Sequence, residues 1–437
     1  MDDYAGKIVK KGLSLGCQDV VADAYETRHF QIRFSQSQVD ITNSWREQAA
    51  SVFCVRDKRV VATDIRDLAK IDKAMEDIVR IARSSQKNKE YGGIAKGPFK
   101  YRPASVDKRI TSLEEGSDFV YAAVNGALAE GAKETAGTFL RTSESHYLVT
   151  SNGVRAKDER AGVYMSIRAL VTPEASGHGI ECATHLSTFK PENAGRKAGE
   201  IATMAKEPRL GEAGNFDVIF EPLFLGSMLT QVGQRDSAFL VRAGLSPFTK
   251  KIGKSVASKA VTIYDDATAD GRGRKRFDAE GVPTRRTTII QNGVLKTYLH
   301  NTSTAKLFKT KTTANAGLIS PDPHQLVLKQ GDLKKDELFE ECKDGVYVTN
   351  TWYTRYQNYT TGDFSTIPRD GIFRLRKGEI VGSWKDVRMT DNLIHLWKNM
   401  KALSKETQEV EWWGEVALPS LVPYGLATKI GFTKSAE

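Results

Sequence analysis

Apolar positions recur with two different periods along the chain, and the switches between them divide it. Over residues 2–15, Tyr4, Ile8 and Leu13 fall on one stripe with helical spacing. Over 19–64 the pattern alternates, as in Phe30-Gln31-Ile32-Arg33-Phe34 and Ser51-Val52-Phe53-Cys54-Val55. Breaks near 35–37 and 56–59 make this several antiparallel strands. Helical spacing returns over 66–86 (Leu68, Ile71, Met75, Ile78, Val79, Ile81) and over 113–131 (Leu113, Phe119, Val120, Ala123, Val124, Leu128). Thr111-Ser112-Leu113-Glu114-Glu115 supplies a capping-box start for the second of these helices. Alternation resumes over 137–141, 145–150 and 164–171, with Ser151-Asn152-Gly153-Val154 as a hairpin turn. Residues 191–206 read as a helix and 208–214 as a linker. The first half is therefore helix, strands, helix, helix, strands, helix. That is an α+β unit with approximate internal duplication, not a doubly wound parallel sheet.

The second half opens on Phe216-Asp217-Val218-Ile219-Phe220, a buried-strand pattern, and on a helix over 223–232 that follows Pro222. Short strands are expected at 256–264, 287–291, 294–299, 325–328, 345–349, 371–376 and 380–388. Asn292-Gly293 and Lys377-Gly378-Glu379 are hairpin turns, and a short helix over 391–401 begins at Asp391. This half reads as mostly antiparallel β with a few helices. The expected domains are 1–210 and 211–437.

Composition changes this picture little. The 437 residues are 40% hydrophobic and 27% charged, as in a soluble globular protein. Cys17, Cys54, Cys182 and Cys342 are scattered, which excludes a disulfide scaffold and suits a reducing cytoplasm. No apolar run approaches the roughly 18 residues of a spanning helix. Met1-Asp2-Asp3-Tyr4 has no secretory character. The net charge of +10 divides into +4 for 1–210 and +6 for 211–437, so neither half is a basic module. The densest cluster, Arg272-Gly273-Arg274-Lys275-Arg276, follows Asp265, Asp266 and Asp270 and reads as a solvated loop. Nucleic acid is an unfavoured partner, because no recognised module accompanies the charge.

No phosphate-binding loop, dinucleotide fingerprint, HExxH or GxSxG is present. His178, Glu181, Cys182 and His185 place four potential zinc ligands within eight residues. On a strand, His178 and Cys182 face one way and Glu181 and His185 the other. A helix would gather all four, but Ser176-Gly177 and Gly179 oppose a helix. A self-sufficient hydrolase built on His178, Cys182 and His185 therefore ranks last. His29, His146, His300, His324 and His395 are isolated and read as surface or core residues. The threonine-rich stretches 310–313 and 360–365 offer hydroxyls to a ligand, or serve as strand edges and turns.

One stretch carries more. Phe277-Asp278-Ala279-Glu280-Gly281-Val282-Pro283-Thr284, then Ile289-Ile290-Gln291-Asn292-Gly293-Val294-Leu295-Lys296-Thr297-Tyr298-Leu299, then Thr304-Ala305, resembles the "fDdEGvpt … lienGvlk.yl.d…tA" block of the TldD/PmbA family. Gly345-Val346-Tyr347-Val348, Thr361-Gly362-Asp363-Phe364-Ser365 and the run from Gly371 to Ile380 resemble its "GiyV … tGdFs … G..iekGei" run. Order and spacing agree over about 215–400.

The resemblance implies two branches. TldD-like members carry HExxxH on the first helix of the C-terminal half and a cysteine near the C-terminus, which together bind zinc. Ungapped alignment from Phe216 puts Thr230 and Arg235 at the two histidine positions and Gln231 at the glutamate. The last cysteine is Cys342, and Pro419-Ser420-Leu421 matches the family's end without one. The resemblance therefore implies a PmbA/TldE-like chain with no catalytic residue and no metal or cofactor of its own. It would be the non-catalytic subunit of a zinc metallopeptidase, with the zinc on a TldD-like partner, acting on unfolded or extended peptides. Exposed strand edges suit peptide binding by strand addition. The cavity-facing candidates are Arg235, Thr360, Thr361, Asp363 and Ser365; Arg235 has a buried ion pair as its alternative role. Homodimerisation stays open. The competing class is a non-enzymatic binding protein, towards which the net charge and the family's older description as a modulator of DNA gyrase point loosely.

Overall fold

The computed structural model describes residues 1–434 and is mixed α+β, built on two sheets. The first half contains α1 (Asp2–Ser14), β1 (Asp19–Ser35), β2 (Gln38–Arg56), β3 (Arg59–Ile65), α2 (Ile71–Ser84), α3 (Lys108–Thr111), α4 (Ser117–Ala129), β4 (Glu134–Thr150), β5 (Arg155–Thr172), β6 (Ala175–Ala183) and α5 (Pro191–Met204). Its six strands lie in the order β3-β2-β1-β4-β5-β6, all antiparallel. Each repeat is a three-stranded meander with its own helices, and the repeats join where β1 pairs with β4.

Period-two alternation gives this sheet two unlike faces. On β1, Ala22 and Ala24 pack beneath α1 and α2 with Ile8, Met75 and Val79, while Phe30, Ile32 and Phe34 join the core beneath α4 and α5. On β5, Val163, Met165, Ile167, Ala169 and Val171 face the same helices. The intervening residues Tyr164, Ser166 and Arg168 face away from them. Glycine lets α5 approach closely. A Cβ on Gly179 would sit 1.9 Å from the Ala194 carbonyl oxygen, and one on Gly177 2.0 Å from that of Ala198. Gly179→Ala should therefore push α5 off β6 and cost about 1–3 kcal/mol, read as a lower denaturation midpoint in urea.

The second half contains β7 (Arg209–Leu210), β8 (Gly214–Phe220), α6 (Pro222–Arg235), α7 (Ala238–Arg242), β9 (Ile263–Asp266), β10 (Arg286–Gln291), β11 (Val294–Leu295), α8 (Thr302–Leu307), β12 (Leu326–Leu328) and α9 (Lys335–Cys342). After them come β13 (Gly345–Asn358), β14 (Asp363–Arg376), β15 (Glu379–Lys385), β16 (Val387–Asn392), α10 (Leu393–Lys398), β17 (Met400–Trp412) and β18 (Val416–Lys434). The sheet order is β11-β10-β9-β12-β18-β8-β13-β14-β15-β7, with β16 bridging β14 and β18, and β17 hairpinned onto β18. The core continues from one half into the other: Ile219, Tyr347 and Phe373 share a cluster with Val124 and Ile167.

Several local expectations change. The helix expected from 113 begins at Ser117 with Gly116 as its N-cap, and the side chain of Asp107 caps α3 instead. Of the strand expected at 256–264, only Ile263 and Tyr264 are in β9. The helix expected from Asp391 starts at Leu393, because the Asn392 side chain accepts from the backbone N–H groups of Ile394 and His395. The basic cluster is not a solvated loop. Arg272 is enclosed and its Nε donates to Glu411 at 2.6 Å, while Arg276 donates to the carbonyls of Arg102 and Lys157. Arg276, whose backbone N–H also donates to Asp158 on β5 at 3.1 Å, straps the second half onto the first sheet. No helix among the described residues is long and apolar enough to cross a membrane.

Candidate functional site

Pro222 at its first position and an apolar surface on nearly every side make α6 a buried helix. That burial decides what the zinc-motif positions can do. Thr230 is sealed in the core, and among the described residues its hydroxyl has no hydrogen-bond partner. Gln231 is half-buried. Arg235 ends the helix with its guanidinium stacked over Tyr359 at 4.4 Å and Tyr356 at 5.2 Å. Among the described residues it has no carboxylate partner, so the ion-pair alternative gives way to cation–π stacking. A hydroxyl, a neutral amide and a permanently charged guanidinium do not fit a zinc ion or its base.

The stretch 360–365 spans the turn after β13 and the start of β14, and its polar groups are already engaged. Thr360 Oγ1 donates to the Gly244 carbonyl at 3.0 Å, and Thr361 donates to Asp363. Asp363 also accepts from Asn392 Nδ2 at 2.8 Å, and Ser365 Oγ accepts from Arg388 Nε at 2.9 Å. Tyr359, on which Arg235 stacks, belongs to this turn. The fold thus brings Arg235 beside the turn, and commits the hydroxyl of Thr360 to Gly244 and that of Thr361 to Asp363.

His178, Glu181 and Cys182 lie on β6, and His185 follows it. Among the described residues no group of three His, Cys, Asp or Glu side chains converges as metal ligands. Burial pushes the Cys182 thiol well up, the nearby Glu409 adding to it, so it is an inert thiol. Burial also raises Glu181 to about 7. His185 is partly exposed, 3.7 Å from Asp270.

His178 belongs to a different constellation. Burial, with the Arg168 guanidinium adding to it, lowers its pKa to about 3, so the ring is neutral. Asn350 Nδ2 lies 3.1 Å from Asp370 Oδ2 and 3.0 Å from His178 Nδ1. A carboxylate only accepts, so Asn350 must present its N–H groups to both atoms. Nδ1 is therefore unprotonated, and Nε2–H donates to Ser166 Oγ at 2.9 Å. In this tautomer the ring cannot take a proton from Ser166, so the pair is not a nucleophile and its base. Asp370 also accepts from Ser176 at 2.8 Å and pairs with Arg168 at 3.2 Å. Burial works against its charge, but Arg168 and the donors Ser176 and Asn350 together outweigh it and hold the carboxyl below the ordinary range.

Ser166, Arg168 and His178 belong to the floor of a groove of about 1120 Å³ between the polar face of the first sheet and the second half. Strand register sets the floor in rows. Arg33, Thr138 and Ser166 lie side by side across β1, β4 and β5, and Ala136, Arg168 and His178 across β4, β5 and β6. Trp352, Arg369, Trp412 and Trp413 form the opposite wall. The sequence reading missed this groove. Its signal was present in β5, where Tyr164, Ser166 and Arg168 alternate with buried apolar residues, and in the Trp412-Trp413 pair.

Residues 62–206 match the family model described as the PmbA/TldA metallopeptidase central domain, and 213–429 match its C-terminal domain. The chain belongs to the TldD/PmbA family. Among curated TldD/PmbA relatives, a metalloprotease of Methanothermobacter thermautotrophicus is 28% identical over 309 residues, 67% of each chain. The metalloprotease PmbA of Escherichia coli is 25% identical over 321 residues, 72% of this chain and 66% of that one. The solved structure of TldE from Thermococcus kodakarensis superposes with a TM-score of 0.86 at 18% identity, covering 98% of this chain and all of that one. This last likeness speaks to the TldD/PmbA fold.

Proposed function

We propose that this chain is the metal-free, TldE/PmbA-like subunit of a two-chain zinc metallopeptidase. A TldD-like partner carries the zinc, and this chain holds an extended peptide against it. The observation that carries the reading is the chemistry of α6, where Thr230, Gln231 and Arg235 occupy the aligned motif positions with side chains that cannot serve zinc. The groove supports the peptide-holding role: it is large, with Arg33, Thr138, Ser166 and Arg168 on its sheet side and tryptophans on the other wall.

The test is metal analysis and peptidase assay of the purified chain, alone and mixed with an HExxxH-bearing partner from the same source. The expected result is no stoichiometric zinc and no cleavage alone, with cleavage appearing on mixing. Zinc and activity in the isolated chain would overturn the reading.

A further inference from the structure

We propose that the groove selects extended peptides carrying a carboxylate beside a large apolar or aromatic side chain. This rests on the peptide-holding reading above and adds a substrate class to it.

The argument starts from the four arginines of the lining. Two are already neutralised, Arg168 by Asp370 and Arg272 by Glu411. Arg33 and Arg369 are exposed and, among the described residues, have no carboxylate within ion-pair distance. Arg33 rises from the sheet floor, and Arg369 lies on the opposite wall, 5.4 Å from the centre of the Trp352 ring. A guanidinium already stacked on an indole keeps its N–H edge free for a planar acceptor, and a carboxylate matches that edge with two bonds.

The apolar half of the preference comes from the tryptophans. Trp352, Trp412 and Trp413 are mutual neighbours with ring centres 5.5, 6.0 and 6.2 Å apart. Trp413 is 81% exposed, beside Val416 and Ala417 in the same lining. So large an exposed aromatic surface next to an uncommitted cation fits a ligand that is apolar at one point and anionic at the next. A nucleic-acid strand fits less well. It brings a series of phosphates, whereas the groove offers two uncommitted cations and sets Asp40 and Glu411 in the same lining. The carboxylate itself has two sources, an acidic side chain or the peptide's own C-terminus.

The experiment is fluorescence anisotropy with the full-length chain and four labelled twelve-residue peptides of Gly, Ser and Thr with one Phe near the end. They combine Glu or Gln beside the Phe with a free or amidated C-terminus. The expected result is at least tenfold weaker binding once the recognised carboxylate is gone. Loss on amidation assigns the C-terminus, and loss with Gln assigns the side chain. Arg33→Gln and Arg369→Gln should each abolish most of that preference, so that the peptides with and without the recognised carboxylate bind within about twofold of one another. Trp413→Ala should weaken all four peptides several-fold, with an unaltered circular dichroism spectrum. Equal binding of all four peptides overturns the acidic preference and leaves the peptide-holding reading standing. Binding of none, with salt-sensitive binding of a labelled oligothymidylate instead, overturns both.

Discussion

Lys197→Met should destabilise the protein by about 3–5 kcal/mol, the cost of leaving a buried carboxylate without its cation. Lys197 on α5 pairs with Glu221, the residue capping the start of α6, which is 5% exposed. Tyr347 donates to the same Glu221 oxygen, and Lys197 reaches Tyr424 OH at 3.3 Å. The four side chains come from α5, the start of α6, β13 and β18, so the network ties the first half to the central strands of the second sheet. Among the described residues, removing only the lysine leaves the Tyr347 hydroxyl as the carboxylate's one strong partner. Replacing Glu221 as well, with Met at both positions, should recover most of the loss, since the desolvated charge disappears with its partner. Chemical denaturation of the single and double variants checks this. A single-variant loss below about 1 kcal/mol would mean that the carboxylate is well solvated.

The second large effect is a pH dependence centred on His178. Its folded-state pKa, about 3, lies below the value near 6.5 of an unfolded histidine. Below pH 6.5 the unfolded chain binds this proton and the folded one does not. The stability gained from the neutral ring is therefore complete above pH 6.5 and is lost progressively as the pH falls towards 3. The span is about 3.5 pKa units, or about 5 kcal/mol in full and about 2 kcal/mol by pH 5. Glu181 and Glu409, each raised to about 7 chiefly by burial, titrate with the opposite sign, so the whole-protein profile mixes both. The difference between wild type and His178→Gln isolates the histidine. At pH 7 the variant should be less stable, having lost the bonds to Ser166 and Asn350. From pH 7 to pH 5 the gap should close by about 2 kcal/mol. A gap that does not move with pH would show that the ring is solvated, and one that widens towards pH 5 that it is charged in the folded state.

The sequence carried the fold class and much of the element order because both follow from local period. The alternation of β1, β2, β4 and β5, the helical stripes of α1, α2 and α4, and the Pro222 start of α6 are all short-range patterns. Where it failed, the deciding contact was distant. The hairpin β17–β18 contains Pro419 and Pro423 and interrupts its own alternation with register shifts, so it reads poorly as strand. Its place is fixed by partners far away in the chain, since β18 runs between β12 and β8 at the centre of the sheet. The helices α8 and α9 have six and eight residues, too short for a periodic signal; a capping box at Asn301 holds the first, and the Glu337 carboxylate, accepting from the Lys334 backbone N–H at 2.6 Å, holds the start of the second.

The zinc-motif positions were legible from one alignment, and their chemistry needed no structure: Thr230, Gln231 and Arg235 are poor ligands wherever they lie. What Arg235 does instead, stacking on Tyr356 and Tyr359, depends on a hairpin more than a hundred residues downstream. The groove depends on tertiary structure most of all. Arg33, Ser166, Arg168, Arg369 and Trp413 carry no shared spacing, and only the register of the first sheet and the docking of the second half bring them together. Period-two alternation determines that a strand has a polar face. Whether that face meets solvent, a buried charge network or a groove is set by what packs across from it, a long-range contact that no local pattern encodes.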